Sequence, residues 1–429
     1  MNKPVTRRHF GGLMASGASL AVLASTGRLA HAEDRVRLIW WGNPERDKRT
    51  YAVVDLYQEQ NPDVTVDPET YSWGDYWTKL ATQAAGQNLP DVIQMDYRYI
   101  FEYARRGQLA ALDGFMGKQL DLGDFDQNQL DSGKVDGKLF GVSLGANSMS
   151  HVYNKALLDQ LGVTLPDPTK WTTDDFSAMG NDLKGKLPDG MYFVSNFGGQ
   201  ENMLETWMRQ RGKALYTEDG KLAFDVDDMT AFWEHWYKML EAGLTPPADI
   251  QAQDTGKMEE MMLLTKHSLF DFLHSNQLVA AQKLSQDELG MTMIPNQPGG
   301  KAGQYMKPSM LISMAETSPD KEAAARLMNF FLTDEGANDI LLIERGVTGD
   351  ASIRKHIAPK LTPTENKIID YLNVAATWVG PLPPPPPKGA GEIDRAIEPA
   401  WQAVAFKQKK VDDAAKEFYA FCQQTLERS

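Results

Sequence analysis

Residues 36–41, Val-Arg-Leu-Ile-Trp-Trp, alternate as a strand does and end in Gly42-Asn43-Pro44. A helical pattern then runs through 51–57 and stops at Asn61-Pro62. Val64-Thr65-Val66 predicts a second strand, 75–85 a second helix, and 91–96 a third strand opening after Pro90. Strand, helix, strand, helix, strand is the order of a mainly parallel sheet covered by helices, an α/β fold. Its strands end at Trp41-Asn43, near Trp73 and at Asp96, and ligands of open α/β sheets bind just beyond such ends. Further along, helices are predicted after a Thr172 or Thr173 cap, over 229–243 and over 320–332, with a buried strand at 268–273. Pro383 to Pro387 reads as a stiff surface loop.

The first 32 residues have another pattern. Thr6-Arg7-Arg8-His9-Phe10, a weakly apolar run over 11–24 and Ala30-His31-Ala32 make a twin-arginine signal peptide cleaved after Ala32. The run is too short and too rich in Gly, Ser and Ala to span a bilayer. The expectation is export in the folded state to the periplasm, without a lipid anchor. The whole chain carries a net charge of −14; losing Lys3, Arg7, Arg8 and Arg28, and no acid, leaves −18. Such acidity argues against nucleic acid or an anionic membrane as partner. Cys422 is the only cysteine, which excludes an intramolecular disulfide and Cys-based metal or redox centres. About 397 residues remain, enough to make two lobes the default.

Nucleotide and metal signatures are missing: no GxxxxGK[ST], no GxGxxG after a strand, no HExxH and no GxSxG. No cofactor is expected. Aromatic residues carry the positive signal. Sugars offer apolar C–H faces and a rim of hydroxyls, and are held by stacking on Trp or Tyr with carboxylates and amides at the rim. Trp40, Trp41, Trp73 and Trp378 fall at strand ends or loops, whereas Trp77, Trp233 and Trp236 fall on helices and suit a core. A secreted carbohydrate-active enzyme uses the same side chains, so both readings stay open here.

Several segments occur in a family order: Tyr57-Gln58-Glu59-Gln60-Asn61-Pro62-Asp63-Val64, Leu89 to Asp96, Val135-Asp136-Gly137-Lys138-Leu139-Phe140-Gly141-Val142, Tyr153-Asn154-Lys155, Pro168-Thr169-Lys170-Trp171-Thr172, Ser318-Pro319-Asp320, Asn329 to Thr333 and Arg345-Gly346-Val347. With these the chain resembles the extracellular solute-binding proteins of bacterial ABC importers, in the sugar and oligosaccharide group that includes maltose-binding protein. The resemblance covers nearly all of the chain after residue 32. It implies two α/β lobes joined by crossing segments, in a type II periplasmic-binding-protein fold with the ligand between them. The lobes it implies are 33–148 and 290–332 for the first, 149–289 and 333–429 for the second, with crossings near 145–150 and 288–290.

The resemblance also implies a role: a monomeric, non-catalytic subunit that hands a mono- to oligosaccharide to membrane permease subunits. Ligand positions carry over to Trp41, Asn43, Trp73 and Asp96 in the first lobe and to Asn147 in the first crossing. In the second lobe they carry over to Phe197 and Glu201, to Phe272 and His274 where relatives have a tryptophan, and to Trp378. Asn43 is either a turn residue or a ligand contact. Asp96 either accepts sugar hydroxyls or pairs with Arg98. Lys307 and Arg345 either meet an acidic group on the ligand or pair inside an acidic protein. A polyol, a sugar phosphate or an acidic sugar are the alternative ligands.

Overall fold

The computed structural model describes residues 34–217, 219–384 and 386–428. Residues 1–32, expected from the sequence to be a signal peptide, lie outside the described residues. Among the described residues ten strands carry the fold: β1 (Asp34–Trp41), β2 (Val64–Tyr71), β3 (Val92–Met95), β4 (Lys134–Val135), β5 (Lys138–Leu139), β6 (Gly141–Asn154), β7 (Tyr192–Val194), β8 (Ser268–His274), β9 (Leu289–Thr292) and β10 (Met306–Met314). β4 and β5 form a small hairpin, and the rest join in the order β2-β1-β3-β10-β6-β8-β7, with β9 on β6.

β2, β1 and β3 are parallel to one another, as are β7 and β8. The long strands that pass between the lobes, β6 and β10, run antiparallel to their neighbours. β6 explains the architecture. Its first half pairs with β10 in the first sheet, and from Met149 onward it pairs with β8 and β9 in the second. One strand of 14 residues thus serves two lobes.

Alternation along β1 sends Val36, Leu38 and Trp40 into one core and Ile39 and Trp41 into another. Helices cover both faces, which is what a buried parallel sheet requires. The second lobe likewise has a core on each side of its sheet, one holding Phe270 and Trp233, the other Val152 and Leu273. Cys422 is fully buried in the helix Val411–Arg428.

The chain returns to the first lobe later than the sequence suggests. β9, at 289–292, still pairs with β6 in the second sheet. The passage comes at Met306–Pro308, where β10 takes its place opposite Ser148 to Ala146. The helix Lys321–Thr333 and then Ala337 and Leu341 pack in the first lobe, and Ile343 already belongs to the second.

Candidate functional site

Three strand ends of the first lobe build one wall of a cleft. β1 ends in Trp41, and at Gly42 an added Cβ would lie 1.8 Å from the Asp47 carboxylate, which a larger residue would have to displace. Asn43 accepts the backbone N–H of Glu45 and of Arg46, both at 3.0 Å, and so caps the helix Pro44–Gln60. Ser72 caps the helix Trp73–Ala85, which sets the Trp73 ring edge-on to Trp41 at 5.1 Å. Asp96 caps the helix Tyr97–Arg105 by accepting the Arg98 N–H at 2.9 Å, and its other oxygen faces Lys307 Nζ at 3.3 Å. Burial pushes the Asp96 carboxyl up, but Lys307 and Arg98 outweigh it and hold the group below its ordinary range.

The crossing strands make the floor. Asn147 on β6 donates to Asn276 Oδ1 at 2.8 Å, and Asn276 donates to the Glu344 carbonyl at 2.8 Å. Among the described residues Asn147 Oδ1 finds no hydrogen-bond partner, and neither does His274 Nε2. Burial and the nearby Lys307 push the His274 imidazole down to about 3, so the ring is neutral. The second lobe supplies the facing wall from the end of β8 and from the 196–202 and 251–261 segments. Phe197 and Phe272 sit there with rings 6.1 Å apart. Asp271 accepts from the Leu263 N–H at 3.1 Å and the Phe272 N–H at 2.8 Å; burial and neighbouring Asp254 push its carboxyl up to about 7.

Between the walls lies a cavity of about 540 Å³. Trp41, Asn43, Trp73, Asp96, Asn147, Phe197, Phe272, His274 and Lys307 all line it. Three residues expected beside them do not. Glu201 is drawn into a buried pair with Arg98 at 2.7 Å. Arg345 turns away beneath the cleft and donates to Thr50 Oγ1 at 2.7 Å. Trp378 follows the helix Pro363–Ala375 on the outer surface.

Arg98 meets Asp96 through its backbone only. Its guanidinium reaches Glu201 and Asp394, each at 2.7 Å, and Asn202 at 2.8 Å. One guanidinium is thus shared by two acids, and burial pushes the Glu201 carboxyl up to about 8.

Sequence reasoning passed over Asp254 and Asp271, the methionines Met258 and Met261, and the amides of Asn202, Gln251 and Gln277 at the cleft. Met258 and Met261 flank a Glu-Glu pair that reads as a solvated face, and only the fold turns their segment inward. Among the described residues no group of three or more His, Cys, Asp or Glu could hold a metal ion. No helix among them is long and apolar enough to cross a membrane.

Residues 41–338 match the family model of the bacterial extracellular solute-binding proteins. The chain belongs to that family. This solute-binding protein is 26% identical over 288 residues to a putative binding protein of Brucella abortus, a match covering 65% of this chain and 67% of the relative. It is 24% identical over 338 residues to a lactose-binding protein of Rhizobium radiobacter, covering 76% and 75%. Among solved structures it shares its fold with a periplasmic oligogalacturonide-binding protein of Yersinia enterocolitica in complex with digalacturonic acid: TM-score 0.84, 23% identity, 92% of this chain and 99% of that one. A substrate-binding protein of Listeria monocytogenes in complex with cycloalternan superposes with a TM-score of 0.78 at 20% identity, with the same coverage. The solute-binding protein is thus a two-lobed α/β fold of a family built for binding.

Proposed function

We propose that this chain is the substrate-binding subunit of an ABC importer that captures a sugar or oligosaccharide between its lobes and delivers it unaltered to the permease. The cleft carries the reading: a cavity of sugar-binding size with aromatic rings on both walls and amides between them. Rings take the apolar faces of a pyranose, and amides both donate to and accept from its hydroxyls. Relatives named for lactose and for multiple sugars support the ligand class. The nine lining residues are the proposed contacts, with Trp41 and Trp73 stacking. Two lobes sharing β6 and β10 suit a hinge, and a ligand closes them only as far as it binds the closed form better. The twin-arginine segment supports delivery to the periplasm after folding, where the chain works as a monomer and without catalysis.

Titration with neutral mono- and oligosaccharides tests this. Binding quenches tryptophan fluorescence, Trp73→Ala weakens the affinity about tenfold or more, and chromatography recovers the sugar intact. Turnover of the sugar, or binding indifferent to Trp73, refutes the reading.

A further inference from the structure

The charges lining the cleft are unevenly satisfied. Each cation there is already taken by a protein carboxylate: Arg46 by Glu344 at 3.0 Å, Arg98 by Glu201 and Asp394, Lys307 by Asp96, and Lys257 by Glu260 at 3.2 Å. On the facing wall Asp271 and Asp254 line the same cavity with no cation paired to either among the described residues. Asp271 is 4% exposed and accepts from two backbone N–H groups and from the Ser195 side chain; Asp254 accepts from the Gly256 N–H at 2.9 Å. Asp254 stands close enough to raise the Asp271 carboxyl, and is itself raised by burial. A second sign of a missing donor is independent of these acids. Asn147, 2% exposed on the cleft floor, leaves its Oδ1 without a hydrogen bond.

A buried carboxylate and a half-buried neighbour, neither with a cation, are satisfied by a shared proton or by a positive group brought from outside. An anionic ligand meets the opposite situation. Among the described lining residues it finds no free cation, and must break an existing ion pair to gain one.

From this imbalance we infer that the saccharide taken by the cleft carries a protonated amino group, a hexosamine unit seated against Asp271 and Asp254. The claim rests on the cleft being the sugar site and adds the charge of the sugar. It also separates this chain from the digalacturonic acid complex whose fold it shares.

Isothermal titration of the exported form with three probes tests it: the glucosamine disaccharide, its N,N′-diacetylated form and digalacturonate. The expected result is at least tenfold tighter binding of the free amine than of either other probe. The ratio should fall toward one in Asp271→Asn, and in Asp254→Asn should the first variant fail to fold. Equal binding of the three probes overturns the inference, as does a preference unchanged in both variants. Trp73→Ala distinguishes the two levels. If it abolishes binding of every probe while the amine shows no advantage, the cleft stands and the charge assignment falls. If none of the three binds, the cleft reading falls and takes this one with it.

Discussion

At the scale of single residues, His151 shows how burial sets chemistry. It lies on β6 with Nδ1 3.1 Å from the Asp271 carbonyl, stacked on Phe176, and burial pushes its imidazole down to about 4. In the unfolded chain a histidine titrates near 6.5. Between those values the unfolded state binds a proton that the folded state refuses, so stability falls as pH drops from about 6.5 to about 4. The full effect is on the order of 3 kcal/mol. Glu201 and Asp271, held up by burial, act in the opposite sense over an overlapping range. The readable quantity is therefore a difference. Urea unfolding at several pH values should show His151→Gln losing less stability than wild type between pH 7 and 4.5; parallel curves would contradict the assignment. Residue identity alone hid such facts. Glu201 read as a ligand contact and Arg345 as either a ligand contact or an internal pair; their partners, Arg98 and Thr50, lie 103 and 295 positions away in the chain. Asp96 and Trp73 were legible because strand ends and caps are local features.

Elements were more readable than residues. The three parallel strands, the Thr172 cap with its Asp175 reply and the helix after Asp320 all follow from periodicity and capping chemistry within a few positions. The late crossing was not readable, because a strand such as β9 carries no mark of which lobe it joins. That is decided by pairing with β6. The crossing region itself is packed tightly: a Cβ on Gly145 would meet the Gly346 carbonyl carbon at 2.5 Å and oxygen at 2.6 Å, both backbone atoms. Ala146 bridges to Val347 beside it. Gly145→Ala must push the 345–347 segment off β6, and overpacking of this kind costs about 1–3 kcal/mol. We expect a melting temperature lower by several degrees and weaker sugar binding, checked by calorimetry; an unchanged melting temperature would mean that the crossing gives way freely.

For the molecule as a whole, Arg98 is one of the ties between the halves. It leaves a helix of the first lobe and ends among Glu201, Asn202 and Asp394 of the second. Removing it as Arg98→Ala leaves the half-buried Asp394 carboxylate and the buried Glu201 carboxyl without their shared partner, with an expected loss of about 3 kcal/mol in denaturant unfolding at pH 7. Glu201→Gln should cost under about 1 kcal/mol, because a carboxyl pushed up to about 8 already holds its proton at that pH. Equal penalties for the two would show that Glu201 is ionised in the folded protein. Cys422 has a different consequence at this scale. As the only cysteine, sealed in its helix with its thiol pushed up to about 12 by burial, it is shut off from labelling chemistry. A thiol introduced in place of exposed Lys257 on the rim of the cleft would then accept a fluorophore at one address, making the molecule a reagentless optical sensor for whatever it carries.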